Sequence, residues 1–260
     1  AGTSARTTSG EELTDFSVGH LDNIIINNSA GVTLHNDLTF DGTITFANGI
    51  FNTNGNIVDL GTSGTLSGEN NTSHLVGSVK STRSSQQVND WGIGITITSY
   101  TSGGSAATEI TRYNGDGAAV TVGGSEGINR KFVATSGSKV FSGSINIEWL
   151  PGEDNNKGPA GMGLWYLEED DTEYGKIGTS ETVNTSPRTF LASKPATSFQ
   201  GTWTVTEDIN PLPVELTLFT ANVSENSVHL NWTTATEINN YGFEIETTVG
   251  QISNLSTEWR

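Results

Sequence analysis

A fixed six-residue spacing of apolar side chains constrains the fold of this chain more than any other feature. The first column of this spacing is Ile26, Val32, Leu38, Ile44 and Ile50, and a second column two residues later is Leu34, Phe40 and Phe46. Asparagine, aspartate and glycine, which tolerate tight turns, lie between the columns. The spacing predicts very short strands joined by corners, either stacked as a β-solenoid or folded as a meander of small hairpins. We favour the solenoid, because such short strands gain little stability as isolated hairpins.

The same step continues at Leu60 and Leu66, so we expect the stack to extend to about Val79. These observations predict an N-terminal segment over residues 1–20 and solenoid-like repeats over residues 21–80.

Longer strand-like runs separated by glycine or asparagine turns follow over residues 81–209. They include "WGIGITITSYT", "AAVTVGG", "RKFVAT", "SGSINIEWLP", "GMGLWYLEE", "TFLAS" and "GTWTVTED". About seven such runs are typical of an antiparallel β-sandwich. Within one run, Ile145, Ile147 and Trp149 are expected to face one side of the sheet.

A proline-rich spacer is predicted to begin the last domain, residues 210–260. Pro211 and Pro213 fix the backbone and remove N–H donors, so neither a strand nor a helix continues through them. After them the alternation of Val214, Leu216 and Leu218, and then of Val228, Leu230 and Trp232, predicts two strands, with a third over Phe243–Ile245. A tryptophan on the second strand suits the core of an immunoglobulin-like sandwich.

Composition favours the same fold class and excludes several functions. Glycine and turn-forming residues are frequent and only 16% of residues are charged, which predicts an all-β protein. The absence of cysteine excludes disulfides and thiolate metal sites. A net charge of −17 repels phosphate backbones, so nucleic acid is not an expected partner. No long apolar run is present, so no membrane insertion is expected in this segment.

Two loops carry hard oxygen ligands that suit calcium. Asn114 and Asp116 lie in "YNGDGA", and Glu153 and Asp154 lie in "PGEDNNKG". The alternative is that these residues make turns through their own backbone, because a calcium ion needs six to eight converging oxygens. No cofactor other than calcium is expected.

Trp165 and Tyr166 are the candidate carbohydrate-binding residues, as a flat stacking platform. The alternative is that they pack in the core. The acidic run that follows them, "LEEDDTEYG", offers paired carboxylates of the kind glycosidases use, but consecutive acids on one hairpin tip are typical of a solvated turn. We therefore expect no catalytic activity.

The segment "PLPVELTLFTANVSENSVHLNWTTATEINNYGFEIE", residues 211–246, resembles the start of a fibronectin type III-like module. Such modules precede the C-terminal sorting domain in Bacteroidota proteins exported by the type IX secretion system. Residues 49–82 are similar to β-helical segments of the same surface proteins, and "TSFQGTWTVTED" resembles the closing strand of the sandwich that follows them. The chain stops inside the module and lacks the sorting domain, so we expect it to be a piece of a longer protein.

The resemblance implies an extracellular, cell-surface location. We therefore expect a non-catalytic surface, adhesion or filament-forming module that associates with itself or with neighbouring surface proteins, by β-strand addition. The alternative is the accessory carbohydrate-binding region of a secreted polysaccharide-degrading enzyme.

Overall fold

The computed structural model describes residues 2–7, 23–84, 89–101, 107–135, 141–157, 162–169, 171–177, 186–197, 200–207, 216–224 and 227–235. The chain forms two compact units, Ala1–Asp208 and Ile209–Arg260. Apart from one 3₁₀ turn, Pro151–Glu153, the regular structure of the described residues is entirely β. The predicted all-β class is confirmed. The predicted N-terminal segment, the Pro211/Pro213 spacer and the strand at Phe243–Ile245 lie mostly or wholly outside the described residues.

Parallel strands form the first part of unit 1. They are β1 (Arg6–Thr7), β2 (Asn23–Asn27), β3 (Val32–Thr33), β4 (Leu38–Thr39), β5 (Thr43–Asn48), β6 (Phe51–Asp59), β7 (Thr65–Ser67) and β8 (Leu75–Ser84). The order β2-β5-β7 makes one parallel sheet, and β1-β3-β6-β8 makes another, with β4 also pairing with β6. Parallel pairing excludes a hairpin meander for these strands and gives the stacked coils of a solenoid.

The register explains the six-residue spacing. Ile24 pairs with Ile44, and Ile44 pairs with Leu66, so apolar residues from three successive coils stack in one column. Leu38 likewise stacks on Val58 of the following coil. One coil therefore extends from Ile24 to Ile44. The six-residue step is the distance in sequence between strands on successive sides of that coil.

Strands β2 and β5 turn alternate side chains inward. Ile26 is 5% exposed and Ile44 is fully buried, whereas Ile25 between the two inward positions of β2 is 66% exposed. Gly49 makes one corner with φ of +88°, and a Cβ there would lie 1.8 Å from the carbonyl oxygen of Asn28. This corner therefore requires glycine for both its backbone conformation and its space.

Antiparallel strands continue unit 1. They are β9 (Asn89–Asp90), β10 (Ile95–Thr101), β11 (Ala107–Asn114), β12 (Thr121–Val122), β13 (Ser125–Glu126), β14 (Arg130–Ala134), β15 (Phe141–Trp149), β16 (Met162–Glu168), β17 (Gly175–Ile177), β18 (Arg188–Thr197) and β19 (Gly201–Glu207). The larger sheet continues from the solenoid as β8-β11-β14-β19-β16-β17, and a second sheet has the order β18-β15-β10-β9.

Strand β8 joins the solenoid to the sandwich. Its pairing with β6 is parallel and its pairing with β11 is antiparallel. The predicted boundary between residues 80 and 81 therefore falls within β8, and the two parts belong to one compact unit rather than to two. A single apolar cluster runs from Ile26 in the solenoid to Val205 in the sandwich.

Within the predicted strand "AAVTVGG" the structure has only the two-residue strand β12, which pairs with the two-residue strand β13. Strand β11, which lies between β8 and β14, was not predicted from the sequence. Its residues, "ATEITRYN", are mostly polar, and Arg112 and Asn114 are buried there despite their polarity. Ile145, Ile147 and Trp149 are all fully buried, which confirms that they face one side of β15.

In unit 2 the described residues form one antiparallel hairpin, β20 (Leu216–Ser224) with β21 (Ser227–Thr234). Phe219 pairs with Trp232, and a register shift lies between Leu216 and Leu218. The register is unshifted from the Ser224–Ser227 pair to the Leu218–Thr233 pair, so Phe219 rather than Leu218 shares a face with Trp232, contrary to the alternation that the sequence suggests. One face of the hairpin is consequently apolar.

Candidate functional site

A group of buried charges connects the solenoid to the sandwich. Glu69 follows β7, Arg112 lies on β11, Arg130 begins β14 and Glu153 ends the 3₁₀ turn. Arg112 donates to Glu69 from Nη1 at 2.7 Å and from Nη2 at 2.8 Å. The Nε of Arg130 lies 2.8 Å from Oε2 of Glu153, and its Nη2 donates to Oε1 at 2.9 Å. Two cations and two anions balance each other, as buried charges require.

Burial and ion pairing shift the pKa values of Glu69 and Arg130. Burial alone would raise the pKa of Glu69, but the charge and hydrogen bonds of Arg112 outweigh burial and hold the pKa at about 2. Burial lowers the pKa of Arg130, and the Glu153 carboxylate opposes that effect. Glu69 is therefore ionised at neutral pH, and its ion pair with Arg112 links the solenoid to the sandwich.

A cleft of about 290 Å³ opens beside this group. Its polar lining comes from Glu69, Asp90, Thr96, Arg130 and Glu148. Its apolar walls come from Leu66, Trp149, Leu150 and Pro187. The cleft therefore lies between the last coil of the solenoid and the smaller sheet of the sandwich.

Asp90 and Glu148 add two carboxylates to the cleft beyond the paired Glu69. Asp90 accepts a hydrogen bond from the Gly92 amide, and Glu148 accepts one from the Asn146 side chain. Burial and then the charge of Asp90 raise the pKa of Glu148. The two acids were not selected from the sequence, because strand pairing alone brings β9 and β15 to either side of β10.

The structure brings together three of the four predicted calcium ligands, but around arginines. The Asn114 amide donates to Glu153 at 2.9 Å, and Glu153 is ion-paired with Arg130. Asp154 accepts from Arg188 at 2.7 Å and from the Trp149 indole at 2.8 Å. A cation here would have to displace a guanidinium. Asp116 lies on a separate exposed turn, and within the described ranges no group of three or more potential metal-ligating side chains converges.

The two predicted carbohydrate-binding residues are both buried. Trp165 is 4% exposed and Tyr166 is 5% exposed, and the Tyr166 ring lies 4.3 Å from the Trp203 ring. The Tyr166 hydroxyl donates to the Gln200 carbonyl. A stacking platform needs an exposed ring face, and neither ring presents one. The buried Trp165 indole N–H has no hydrogen-bond partner among the described residues.

The acidic run after Tyr166 forms the turn between β16 and β17. Glu169, Asp171 and Glu173 are exposed there, and the Asp171 amide donates to the Glu168 carbonyl. These described residues are the solvated hairpin turn that the sequence predicts.

Strand β18 forms an edge of the smaller sheet. It has ten residues and pairs with β15, and it has no second neighbour among the described strands. The other edge strands of the two sandwich sheets, β9 and β17, have two and three residues. Pro195 lacks an N–H, so an added strand would pair with β18 before this position.

The hydrogen bonds of β15 show which residues of β18 face outward. Glu148 donates its backbone N–H to the Gly94 carbonyl on the β10 side at 2.8 Å. Backbone groups of successive strand residues point to opposite sides, so Ile147 directs its own groups to β18, where it pairs with Phe190. The next residue, Leu191, therefore points its N–H and C=O away from β15. Its side chain is 43% exposed.

In the hairpin of unit 2, β20 has a second edge without a neighbour among the described strands. Exposed fractions on β20 are 53% for Leu216, 52% for Leu218, 60% for Phe219 and 78% for Val223. A two-stranded hairpin is marginally stable in water. Neither edge was predicted from the sequence, although the length of the "RTFLASKPAT" run and the proline near its end were signals of an edge strand.

The fold defines the class: an all-β protein in which a parallel solenoid continues into an antiparallel sandwich. Comparison of the chain with protein-family models, with curated proteins and with solved structures found no match in any of the three. In the part of the chain that the structure describes, no helix is long and apolar enough to span a membrane.

Proposed function

We propose that this chain is a non-catalytic structural module of an extracellular, cell-surface protein, which acts in adhesion or filament formation by adding β-strands between neighbouring molecules. The observation that carries the proposal is the outward-facing edge of β18 at Leu191. The surface location rests on the resemblance of residues 211–246 to a fibronectin type III-like module.

A free edge suits this role for a physical reason. Its N–H and C=O groups offer regular hydrogen bonds to any extended strand, while exposed side chains supply selectivity. Sheet proteins usually blunt such edges with charge, proline or short length. In β18 the proline lies at position 195, past Leu191, and β18 has no second neighbour among the described strands.

The test compares two lysine substitutions by sedimentation velocity over a range of concentrations. Leu191→Lys places a charge on the β18 edge, whereas Ile57→Lys, the matched control, changes a 36% exposed side chain on β6, which has strands on both sides. We expect the parent chain and Ile57→Lys to associate, and Leu191→Lys to remain monomeric. Association should also slow hydrogen exchange at the Leu191 amide. A parent chain that stays monomeric and leaves that amide equally exchangeable at every concentration would refute self-association through this edge.

A second candidate, binding of a carbohydrate, is favoured by the cleft rather than by Trp165 and Tyr166. Its volume of about 290 Å³ is near the lower end for small-ligand pockets, and Asp90, Thr96 and Glu148 offer hydrogen-bonding groups for hydroxyls. A glycan array with the parent chain and with Glu148→Gln tests it. Binding that is lost in the variant would support the cleft, and no binding by the parent would exclude this candidate for the glycans tested.

A further inference from the structure

We infer that Asn54 is a site of spontaneous covalent modification, at which the side-chain amide is lost through a cyclic imide. The inference does not depend on the proposed function. The chain contains three Asn–Gly pairs, at residues 48–49, 54–55 and 114–115. Asparagine before glycine is open to this reaction because glycine has no Cβ to shield its backbone nitrogen. The surroundings of the three pairs differ, and they favour the reaction at the second pair.

Water is the one co-reactant that the modification needs. The backbone nitrogen of Gly55 attacks Cγ of Asn54, a C–N bond forms, and the side-chain nitrogen leaves as ammonia with the proton of the Gly55 amide. Water then opens the ring at one of its two carbonyl carbons, which gives aspartate or isoaspartate, and nothing is oxidised or reduced. Ring closure requires rotation about the backbone and side chain of Asn54. A pair that its neighbours hold in place therefore reacts slowly.

Asn54 and Gly55 form a tip that projects from β6. The register of β6 with β8 shifts between Asn52 and Ile57, and β3 and β4 pair with β6 only on either side of residues 53–56. Asn54 and Gly55 have φ of +54° and +84°, as in the two-residue turns that Asn–Gly favours. Both residues are exposed, and no atom lies within 4 Å of the position of a Gly55 Cβ. The Asn54 side chain has no hydrogen-bond partner among the described residues.

The residues on either side of the tip hold its base in place. Thr53 is fully buried, and its hydroxyl oxygen accepts a hydrogen bond from the Ser78 amide at 3.2 Å. The Asn56 side chain donates to the carbonyl oxygens of Leu34 and Thr53, at 3.2 and 3.1 Å. Because these contacts lie outside the tip, rotation within the tip does not require the coil to open.

Asn114 is protected by burial and by its hydrogen bonds. It is 4% exposed, and its side-chain nitrogen donates to the Leu75 carbonyl at 2.6 Å and to Glu153 at 2.9 Å. Both hydrogen bonds must break, and water must enter, before the imide can form and be hydrolysed. The folded structure should therefore slow the reaction at this pair.

Asn48 is exposed, but neighbouring coils hold its backbone on both sides. The Asn28 amide donates to the Asn48 carbonyl at 2.9 Å, and the Ser73 hydroxyl donates to the Gly49 carbonyl at 3.2 Å. There is no room for a Cβ between Gly49 and the Asn28 carbonyl oxygen. Rotation at this corner would therefore separate the coils, which the tip at Asn54 does not require.

The test measures amide loss at each of the three pairs in the full-length chain, folded in buffer and unfolded in urea, at mildly alkaline pH. Incubation in water that carries heavy oxygen labels the residues modified during the experiment, and peptide mapping by mass spectrometry assigns them. In urea the three pairs should react at similar rates, because each then has the same local chemistry. Circular dichroism before and after incubation reports whether the sample in buffer stays folded.

We expect Asn54 to react fastest in the folded protein, at a rate close to its rate in urea. Asn48 and Asn114 should be slowed about tenfold or more relative to urea, because the opening that each needs breaks two hydrogen bonds. Asn54→Gly, which suits the positive φ of this position, should remove most of the amide loss from the folded protein and leave the other two pairs as in the parent.

Three results would overturn the inference. The first is an Asn54 that folding slows as strongly as Asn114. The second is an Asn54→Gly variant that loses amide groups at the rate of the parent, because the modified residue would then lie elsewhere. The third concerns stability: the modified chain should keep the melting temperature of the parent, since the tip lies outside the ladder. A melting temperature that falls in step with modification would contradict this placement of the tip.

Discussion

Arg112 binds the carboxylate of Glu69 with two parallel hydrogen bonds, of 2.7 and 2.8 Å, across 43 positions of sequence. Glu69 belongs to the last coil of the solenoid, whereas Arg112 lies on β11, the antiparallel neighbour of β8. The Arg112 side chain is fully buried and that of Glu69 is 15% exposed. This ion pair therefore fixes the solenoid against the sandwich at the place where parallel pairing gives way to antiparallel pairing.

Removing one partner of this pair should be far more damaging than removing both. Arg112→Met leaves the Glu69 carboxylate with little water and without its hydrogen-bonded cation, and we expect a loss of about 3–5 kcal/mol in the free energy of unfolding. Arg112→Met combined with Glu69→Gln should cost clearly less than the single change. Urea unfolding measures both. The same double change at the more exposed pair Lys157–Glu207, 3.6 Å apart, should cost less than about 1 kcal/mol.

Lowering the pH should reduce the free energy of unfolding through protonation of Glu69. Its pKa is about 2 in the folded state against an ordinary value of 4.5, so its contribution is fully present above about pH 4.5 and is lost as the pH falls toward 2. The contribution is roughly 3 kcal/mol, from about 1.4 kcal/mol for each pKa unit. The difference in unfolding free energy between the parent chain and Glu69→Gln should therefore shrink between pH 5 and pH 2.5. A difference that stays constant with pH would contradict this role.

Protonation of Glu148 should stabilise the folded protein, whereas protonation of Glu69 destabilises it. Burial and the charge of Asp90 raise its pKa, so its ionised form is disfavoured in the folded protein, and lowering the pH through the folded pKa should remove that cost. We expect Glu148→Gln to raise the melting temperature at pH 7 and to have less effect in acid. Asp90→Asn should produce part of the same gain. A lower melting temperature for Glu148→Gln at pH 7 would show that the carboxylate is needed in its charged form.

Two glycines with the same backbone conformation should respond differently to alanine. Gly49 and Gly55 have φ of +88° and +84°, but a Cβ at Gly49 would lie 1.8 Å from a carbonyl oxygen, whereas Gly55 has no atom within 4 Å of that position. Gly55→Ala should cost about 1–2 kcal/mol from backbone strain alone. Gly49→Ala should cost about 1–3 kcal/mol more, because the corner must move to make room. Thermal and urea unfolding of the two variants make the comparison, and equal losses would argue against the close approach at this corner.

Inward and outward positions of the parallel sheet can be distinguished by truncation. Ile44 is fully buried and pairs with Ile24 and Leu66, so Ile44→Ala should cost about 2–5 kcal/mol. Ile25→Ala, at a position 66% exposed, should change the unfolding free energy by less than about 0.5 kcal/mol. Urea unfolding measures both costs. If the register were shifted by one residue, Ile44 would point outward and Ile25 inward, and the two costs would exchange.

The inward columns of the solenoid follow from the sequence alone. Ile26, Leu38 and Ile44 are buried where the six-residue spacing places them, because a strand side chain can point only to one face or the other and apolar side chains leave water. Val32 and Ile50 of the same column are half-buried. The inward face of β15 follows for the same reason. The length of a coil does not follow from this spacing. The six-residue step separates successive sides of one coil, whereas the length of the coil depends on which strands of neighbouring coils pair.

The tertiary structure alone determines which charged residues pair, where the cleft lies and which strands form the edges of the sheets. Arg112 and Glu69 became partners, and Asp90 came close to Glu148, because strands distant in sequence are neighbours in the sheets. The sequence does not distinguish Leu191 from other apolar residues. In the structure it lies on β18, which has a neighbour on one side only among the described strands. The sequence determines which side chains avoid water, through local alternation. Which polar groups meet, and which backbone groups are left without a neighbour, depends on long-range pairing that local alternation does not encode.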